Sequence, residues 1–549
     1  MGLNPRGIIG MATRGSNNRS LACLLAVALM VVTIYGAQAR GTAATRESGE
    51  VSPVDLGAKF DGTTDDTRAW RLAIAEALKA TYGSVIKVPA GRSLVSESLV
   101  IPLTGNKSLA VRGAGADVSE VVWTKPVDGI RVDFKDNATN SRDAFATGGK
   151  FSFEGVSLIQ GAPFVKLATS ADTPSGNVLH FASTRGLAVG MYVTSYLNAA
   201  KIPASATITG ISETSVTLSE NVTGDVPAGT VLSFIHITGS ALTINGDSNQ
   251  RFGLESPELY IRDTSIHGFS GGDLFTPGGS WLNGIVCNNQ TVVRIDGAFI
   301  SFSRCGTVGT GITIRGTYPT HLADDHHLTN IKVLFGDVGI NLGNGDPGFE
   351  GLMVENSSLV GCNRYGVWAN TNNSITDQLT VTGCHINAGH AAFKVNGMTQ
   401  VGLANSFVIV GAGAGLGAQA VGFDFKNVNC FALTGNLLQF DPKNAGGGWG
   451  IIVDNDKGWG DKDWSSTISG NEFLTPATGG MWFRNYAANI LVSGNTVATG
   501  GTPVAVDATA SIHFADNLFN GVLYQVGYPT FPPSQDAHNL TLPPGTRPE

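Results

Sequence analysis

Two aspartates on neighbouring repeats form the arrangement in this sequence best suited to acid–base chemistry. They lie in short segments that alternate polar and apolar residues, GFDFK at 422–426 and GIIVD at 450–454. A period of two predicts β-strands whose successive side chains face opposite sides. When the segments are aligned, Asp424 and Asp454 fall on the same side, displaced by two residues. Two such carboxylates could serve as a proton donor and a proton acceptor.

Strand geometry gives the approximate separation of this pair. Adjacent strands lie about 4.8 Å apart and a strand rises about 3.3 Å per residue, which places the two Cα atoms about 8 Å apart. Inverting glycosidases hold their carboxyl groups about 6.5–9.5 Å apart. Asp424 and Asp454 are therefore predicted to be catalytic. In the alternative interpretation they belong to a solvated charge ladder. Asp424 then pairs with Lys394 or Lys426, and Arg484 is the partner of the other carboxylate.

The same alignment predicts which other side chains share this face. Aromatic rings can stack on sugars, and cationic side chains can hold carboxylate or sulfate groups. The predicted substrate-binding residues are Trp368, Lys394, Lys426, Trp482 and Arg484, joined by Trp459 and Trp464 from the Trp- and Asp-rich loop within 449–464. That loop could instead be a solvated segment, or it could bind calcium through its clustered carboxylates.

A second cluster, Asp324-Asp325-His326-His327, directly precedes a predicted strand. Its residue types would suit metal binding or acid–base work. Neighbouring residues on a strand point to opposite sides, however, so the four side chains cannot converge. We expect no metal site here and no cofactor for the chain, with calcium considered only if the reaction is an elimination.

Internal repeats are the elements that must position these residues. In the C-terminal half, short strand–turn–strand units such as LTVTGCHI (379–386) and ILVSGNTV (490–497) recur about every 22 to 36 residues. A coil of this kind cannot bury its apolar face alone, so coils must stack. The stack predicts an all-β fold, a parallel β-helix. One turn position then forms a ladder, in which stacked asparagines can bond to one another and to the backbone: Ser357, Cys384, Ser406, Asn436, Asn471, Asn495 and Asn517.

The start of the β-helix domain, predicted over 51–525, contains a helix signal. Thr64, Asp65 and Asp66 are N-cap candidates, and Trp70, Ile74 and Leu78 follow at helical spacing. An amphipathic helix here would cover the open apolar end of the coil stack.

A family resemblance rests on this region. The run GAKFDGTTDDT (57–67), the helix, the VPAG strand-turn (88–91) and VRGAG (111–115) resemble the opening of the pectate-lyase-like superfamily, within its rhamnogalacturonase, epimerase and phage-tailspike group. The resemblance implies a right-handed parallel β-helix that acts on polysaccharide. It does not fix the reaction, because the superfamily includes hydrolases, lyases, epimerases and non-catalytic tail proteins.

The polygalacturonase pattern of that superfamily is only partly present. Gly389-His390 resembles its Gly-His-Gly, and Asp424-Phe425-Lys426 lies where its Arg-Ile-Lys would be. Trp368 and Ala369 occupy the place of its paired aspartates, and its Asn-Thr-Asp motif is missing. The catalytic acids of that family therefore cannot be carried over to this chain.

Residues 1–39 are predicted to be a secretory signal peptide. Three arginines precede the apolar run 21–35, and Ala37-Gln38-Ala39 offers a small-residue cleavage site. The run is shorter than the roughly 20 residues of a spanning helix, so we expect a secreted or periplasmic protein without stable membrane insertion, with a membrane anchor as the alternative. Its removal changes the net charge from −8 to −11, which argues against nucleic acid as a partner. The five remaining cysteines are expected to be buried free thiols, with one or two bridges as the alternative.

Two segments break the coil pattern. Residues 170–234 resemble a small β module inserted in bacterial and phage surface proteins, either for glycan binding or as a loop without binding. Residues 526–549 are predicted to form an extended proline-rich tail.

Three functions remain open from the sequence. We expect glycoside hydrolysis of a polysaccharide by Asp424 and Asp454. The alternatives are β-elimination on a uronate-containing glycan and a non-catalytic glycan-binding β-helix. Tailspike relatives form trimers, but no trimerisation signature supports a homotrimer here.

Overall fold

The computed structural model describes much of the chain from residue 49 onward. The described residues are 49–81, 83–104, 107–135, 150–194, 201–203, 205–246, 259–268, 279–290, 292–302, 308–316, 326–343, 351–371, 378–411, 420–441, 448–459, 465–474, 478–498, 501–507, 510–520, 536–537 and 540–542. The predicted signal peptide, residues 1–39, lies outside them.

Three parallel sheets, here numbered 1 to 3, form the body of the molecule. Each complete coil runs from sheet 1 through a short turn to sheet 2 and then to sheet 3, whereas the first and the last two described coils contribute strands to sheets 1 and 2 alone. The next coil pairs with it in parallel, in register, on all three sheets. The fold is thus the predicted right-handed parallel β-helix.

The strands of sheets 1 and 2 alternate along the chain. Sheet 1 comprises Gly49–Val51, Gly83–Lys87, Ser108–Arg112, Phe151–Glu154, Leu259–Arg262, Val293–Asp296, His326–Thr329, Gly351–Glu355, Gln378–Thr382, Thr399–Ala404, Asn429–Thr434, Ser466–Ser469, Ala488–Ser493, Ser511–Ala515 and Asp536–Ala537. Sheet 2 comprises Asp61–Asp65, Gly91–Val95, Ser119–Trp123, Ser157–Gln160, Ser265–His267, Phe299–Ser301, Lys332–Leu334, Ser358–Cys362, His385–Ala388, Phe407–Val410, Leu437–Phe440, Glu472–Leu474, Thr496–Ala498, Leu518–Asn520 and Leu540–Leu542.

Sheet 3 contains the strands on which the candidate aspartates lie. It comprises Leu99–Thr104, Ile130–Lys135, Ile237–Asn245, Ser280–Asn288, Thr310–Arg315, Val338–Gly343, Tyr365–Asn370, Ala391–Asn396, Ala420–Lys426, Gly448–Asn455, Gly479–Asn485 and Thr502–Val506. The inward side chains predicted from the alternating pattern are all buried: Val367, Phe393, Val395, Phe423, Phe425 and Val453.

An asparagine ladder fixes the turn between sheets 1 and 2, as predicted. Asn471 Nδ2 donates to Asn495 Oδ1 at 2.9 Å and to the Leu433 carbonyl at 2.9 Å, while its own Oδ1 accepts from Asn436. Asn495 repeats the pattern toward Asn517. All four ladder asparagines are buried. Their side-chain amides therefore supply the hydrogen bonds that solvent would otherwise make to these turns.

The residue just before each ladder position adopts left-handed backbone geometry. Gly470 has φ +62° and Asn405 has φ +50°. Glycine reaches this region without steric cost and asparagine does so more easily than most residues. Together with the alternating strands, this turn explains why glycine and asparagine recur at regular intervals in the sequence.

A glycine column lines the inner border of sheet 3, where each strand begins beside sheet 2. A Cβ atom at any of these positions would lie 2.5–2.7 Å from the carbonyl oxygen of the next strand. The backbones therefore approach more closely than any side chain would permit. The column consists of Gly284, Gly311, Gly339, Gly366, Gly422, Gly450 and Gly480.

The predicted helix, α1, spans Thr67–Ala77 and follows a short 3₁₀ helix at Pro53–Leu56. It buries Trp70 and Ile74 in the same hydrophobic core as the first coils, which caps the stack. Its N-cap is Asp66, whose carboxylate bonds Ser93 and the Lys59 and Phe60 amides instead of the helix.

Antiparallel strands interrupt the coils after sheet 2 of the fourth coil. Two three-stranded sheets form there, with their own hydrophobic core around Phe181 and Phe234. The first contains Val165–Ala168, Val231–Ile235 and Tyr192–Thr194, and the second contains Val178–His180, Ser215–Leu218 and Ile208–Ile211. Near the C-terminus, within the predicted tail, Asp536–Ala537 and Leu540–Leu542 add strands to sheets 1 and 2.

The described cysteines are free thiols. Cys287, Cys362 and Cys384 are buried, as expected, whereas Cys430 is exposed, contrary to the expectation; Cys305 lies outside the described residues. Burial raises the pKa of the Cys362 thiol to about 12. In the part of the chain that the structure describes, no helix has the length and apolar character needed to cross a membrane.

Candidate functional site

The candidate site is the outer face of sheet 3 between the strands Tyr365–Asn370 and Gly479–Asn485. The strand register places two parallel rows of outward side chains there. The first row is Trp368, Lys394, Asp424, Ile452 and Trp482. The second row is Asn370, Asn396, Lys426, Asp454 and Arg484. The sequence alignment predicted both rows correctly, because the strand period and the glycine column fix the register.

Both predicted aspartates are held in ion pairs. Lys394 Nζ contacts Asp424 Oδ2 on the neighbouring strand, and Arg484 Nη1 lies 3.4 Å from Asp454 Oδ2. Asn485 Nδ2 also donates to Asp454 Oδ1 at 2.6 Å. The carboxylates are only 18% and 19% exposed. The alternative pairing expected from the sequence is therefore present, with Lys394 rather than Lys426 as the partner of Asp424.

A further group of residues surrounds the first of these pairs. Arg364 donates from Nε to both oxygens of Asp337, at 2.9 and 2.8 Å. This bond raises the pKa of the Arg364 guanidinium. The guanidinium carbon lies 5.5 Å from the ring centroid of Tyr365 and 6.0 Å from that of Trp368, within the range of cation–π attraction. Arg364 is thus fixed over two aromatic rings at the edge of the site.

His390 lies between this group and the Lys394–Asp424 pair. Its ring centroid is 5.5 Å from that of Tyr365. Burial lowers the pKa of His390, and the positive charges of Lys394 and Arg364 lower it further, against an opposing effect of Asp424. The imidazole is therefore neutral near pH 7 and can accept a proton.

The opposite end of the site is built around Trp482. Its Nε1 donates to Asp507 Oδ1 at 3.2 Å, its ring packs against the buried Trp449, and Arg484 lies 4.6 Å above its centroid. Arg484 Nε is buried and has no hydrogen-bond partner among the described residues. A rigid, half-buried aromatic surface of this kind suits a ligand with flat apolar faces.

Lys426 has a more exposed position in the second row. Its Nζ lies 4.0 Å from Asp456 Oδ1, and the two side chains are 49% and 58% exposed. A pair this exposed contributes little to stability, so Lys426 is free to reorient toward a ligand.

One predicted contributor to the site, Trp459, is placed differently by the structure. Trp459 is only 9% exposed and its carbonyl accepts from Asn429 Nδ2, so its ring is buried and cannot serve as an open platform for a sugar. Trp464 lies outside the described residues. The sequence favoured Trp459 because a Trp in a polar loop looks exposed, and its burial depends on contacts between coils.

The Asp324-Asp325-His326-His327 cluster does not form a site within the described residues. His326 is fully buried and its Nδ1 accepts from the Val293 amide at 3.1 Å, whereas His327 lies on the outer side of the strand. Asp324 and Asp325 lie outside the described residues. Across the described part of the chain, no group of three or more His, Cys, Asp or Glu side chains is arranged to hold a metal ion.

The sequence signal for Arg364, Tyr365 and His390 was weak. Arg364 and His390 occupy the turns that lead into sheet 3, and Tyr365 is the first residue of its strand. None of the three falls in the aligned outward positions of the repeat. Only the Gly389-His390 dipeptide could have drawn attention to this edge of the site.

The chain is similar to some solved structures at low sequence identity. No protein-family model matches the sequence, and no curated protein sequence matches it. Among solved structures, the A-module of mannuronan C-5 epimerase AlgE6 from Azotobacter vinelandii is 12% identical, with a TM-score of 0.41 over 90% of this chain and 99% of that one. The catalytic unit of a GH87 α-1,3-glucanase from Streptomyces thermodiastaticus is 13% identical, with a TM-score of 0.36 over 91% and 71%.

Tailspike protein 2 from the Escherichia coli O157:H7 bacteriophage CAB120 is also similar. It is 12% identical, with a TM-score of 0.44 over 79% of this chain and 43% of that one.

Proposed function

We propose that the protein is a secreted enzyme that cleaves a polysaccharide by glycoside hydrolysis on the outer face of sheet 3. One observation carries the proposal. Two carboxylates lie on adjacent strands of an exposed sheet, displaced by two residues, with half-buried Trp368 and Trp482 in the row on either side. Carboxylates supply the acid and the base of glycoside hydrolysis, and the rings bracket them along the direction in which an extended glycan would bind.

In this mechanism each aspartate has a positioning partner. Lys394 orients the Asp424 carboxylate and Arg484 orients that of Asp454, because each cation contacts one of its oxygens. One aspartate donates a proton to the glycosidic oxygen and the other accepts a proton from the attacking water. Lys426, as the more exposed cation, is available to hold sugar hydroxyls.

The test measures two products from one reaction. The purified secreted protein is incubated with a panel of neutral and acidic polysaccharides, and new reducing ends and the ultraviolet absorbance of unsaturated uronates are recorded together. Reducing ends without absorbance are expected. If the absorbance rises, the reaction is an elimination and not a hydrolysis. If no glycan gives a product, the protein binds polysaccharide without cleaving it.

Variants connect the reaction to the two aspartates. Asp424→Asn and Asp454→Asn should each lower turnover at least about a hundredfold, the usual range for loss of a general acid or base. The matched control is Asp296→Asn, which removes a carboxylate 3.9 Å from Arg262 on sheet 1 and should retain full turnover. If both site variants keep the wild-type turnover, Asp424 and Asp454 are not the catalytic residues.

A further inference from the structure

We propose that the outer face of sheet 3 accepts a neutral polysaccharide and excludes polyuronates. The inference rests on the function proposed above and specifies its substrate class. It comes from the pairing of charges in the site, where Arg364, Lys394 and Arg484 each have a half-buried protein carboxylate as partner, while the fourth cation, Lys426, has a looser and more exposed pair.

The pairing covers four cations in the described part of the site. Arg364 is bound to Asp337 through two oxygens, and Lys394 contacts Asp424. The two other pairs, Arg484 with Asp454 and Lys426 with Asp456, are longer, at 3.4 and 4.0 Å. Asp507 adds a fifth carboxylate beside Trp482.

The charges in these contacts sum to a slightly negative value, and the exposed Lys457 next to Asp456 brings the total close to zero. Four cations face five carboxylates, and His390 adds no charge near pH 7 because burial and neighbouring cations lower its pKa. In the three tighter pairs the carboxylate is also the deeper partner, with 15%, 18% and 19% of its side chain exposed against 42%, 33% and 39% for the cation. Each of these carboxylates is therefore held beneath its cation, and removing the cation would leave a half-buried negative charge without its partner.

A polyuronate would bind this surface poorly for an electrostatic reason. At Arg364, Lys394 and Arg484 a substrate carboxylate would have to displace a protein carboxylate from its cation and leave that half-buried group unpaired, which is costly. The overall charge of −8 adds long-range repulsion. Arg315 lies in the second row, four strands and about 19 Å from Lys426, and donates to Asn288 Oδ1, so it does not alter this balance.

A neutral glycan meets none of these obstacles. Its hydroxyls can donate to the unused lone pairs of the carboxylates and accept from the unused donors of the cations, which leaves every ion pair in place. Trp368 and Trp482 lie four strand spacings apart, about 19 Å, and present half-buried rings to uncharged sugar faces. Since β-elimination requires a uronate, a surface that excludes polyuronates would not support that reaction.

The experiment compares one polymer in two charge states. Binding of the full secreted protein to polygalacturonate and to carboxyl-reduced polygalacturonate is measured at low and high salt. The wild type should bind the acid form no more tightly than the reduced form at either salt concentration. Tighter binding of the acid form that disappears at high salt would overturn the proposal.

A second part of the experiment removes the carboxylate partners of two cations in the site. The double variant Asp424→Asn/Asp454→Asn releases Lys394 and Arg484 and should bind polygalacturonate about tenfold more tightly than the wild type, in a salt-dependent way. The control Glu154→Gln/Asp296→Asn removes the same charge around Arg262 on sheet 1 and should change binding less than about twofold. If both double variants change the affinity for polygalacturonate equally, the site carboxylates do not prevent Lys394 and Arg484 from binding the substrate.

Two readouts keep this inference separate from the proposed hydrolysis. If the double variant does not fold, as judged by circular dichroism, each single variant is compared with Asp296→Asn instead. Cleavage is scored independently by reducing ends. If the protein cleaves no polysaccharide but shows the expected binding pattern, the proposed hydrolysis is wrong and the preference for a neutral glycan still holds.

Discussion

Asp424 and Asp454 turn their carboxylates in opposite directions along the axis of the coil stack. Asp424 Oδ2 contacts Lys394 on the preceding strand, whereas Asp454 Oδ2 lies 3.4 Å from Arg484 on the following strand. Their strands are adjacent, one strand spacing apart, and the half-buried Ile452 lies opposite Asp424 on the strand of Asp454. The two acids therefore flank a gap instead of sharing a proton.

The gap predicts the stereochemistry of cleavage. Retaining glycosidases need carboxyl groups about 5–5.5 Å apart, whereas inverting enzymes leave room for a water at about 6.5–9.5 Å. Two acids about 8 Å apart at Cα that lean away from each other fit the second case. We expect inversion, measured by proton NMR of the anomer released in the first minutes of reaction. Initial release of the retained anomer would contradict this geometry.

Trp482 should contribute to substrate binding more than to chemistry. Trp482→Ala removes a ring that is held by Trp449 and Asp507, and we expect KM to rise about tenfold with kcat nearly unchanged. Trp482→Phe is the control, because it keeps an aromatic face while losing the bond to Asp507, and its KM should rise much less. Steady-state kinetics on the cleaved polysaccharide distinguishes the two, and a fall in kcat alone would give Trp482 a different role.

Asn471 should be important for stability despite its distance from the site. Asn471→Ala deletes bonds to Asn495, Asn436 and the Leu433 carbonyl inside a buried turn, and buried groups without partners are costly. We expect a loss of about 2–4 kcal/mol in the free energy of unfolding, from urea titration. The neighbouring Glu472→Ala, on an exposed side chain, should change it by less than about 0.5 kcal/mol.

Two glycines should respond to the same substitution for different reasons. In Gly450→Ala the new Cβ would lie 2.5 Å from the Gly480 oxygen and 2.6 Å from Phe473 Cδ1, so we expect about 3 kcal/mol of destabilisation from overpacking. In Gly470→Ala nothing lies within 4 Å, and only the φ of +62° opposes the change, at about 1 kcal/mol. Urea unfolding of both variants tests the order, and a reversed order would contradict the close approach in the glycine column.

His326 should make the protein less stable in acid. Burial, assisted by His327, lowers the pKa of His326 from 6.5 to about 3. As the pH falls below 6.5 the unfolded chain takes up this proton and the folded chain does not. Stability should therefore decrease by about 1.4 kcal/mol per pH unit until the pH approaches 3.

The variant His326→Asn isolates this effect. Its Oδ1 can still accept from the Val293 amide, but it has no titrating group. The difference in unfolding free energy between pH 7 and pH 4.5, from urea titration, should be about 2–3 kcal/mol smaller than in the wild type. His327→Asn, the same change on the outer side of the strand, should follow the wild-type profile. Parallel profiles for all three proteins would contradict the buried neutral imidazole.

The strand register of sheet 3 was predictable because local sequence determines it. A period of two, with glycine near the start of most of these strands, leaves one alignment for Asp424 and Asp454. The ladder asparagines were predictable for the same reason, since Asn471 and Asn495 recur at one position of the coil.

Contacts between turns were not predictable in this way. The choice of Lys394 over Lys426 as partner for Asp424 depends on side-chain direction, which strand spacing does not provide. Arg364 and His390 enter the site from turns of varying length, and the burial of Trp459 requires the Asn429 contact from the preceding coil.

The glycine column also determines which changes in chain length the site can tolerate. Its members, with Ala392 and Pro503 at the equivalent positions, are 23 to 30 residues apart, so the loops between strands already differ in length without moving a strand out of register. One residue added within a strand of sheet 3 would have the opposite effect. It would displace the glycine from its close contact and exchange inward for outward side chains from that point on. Insertions and deletions that preserve the site should therefore be confined to the loops.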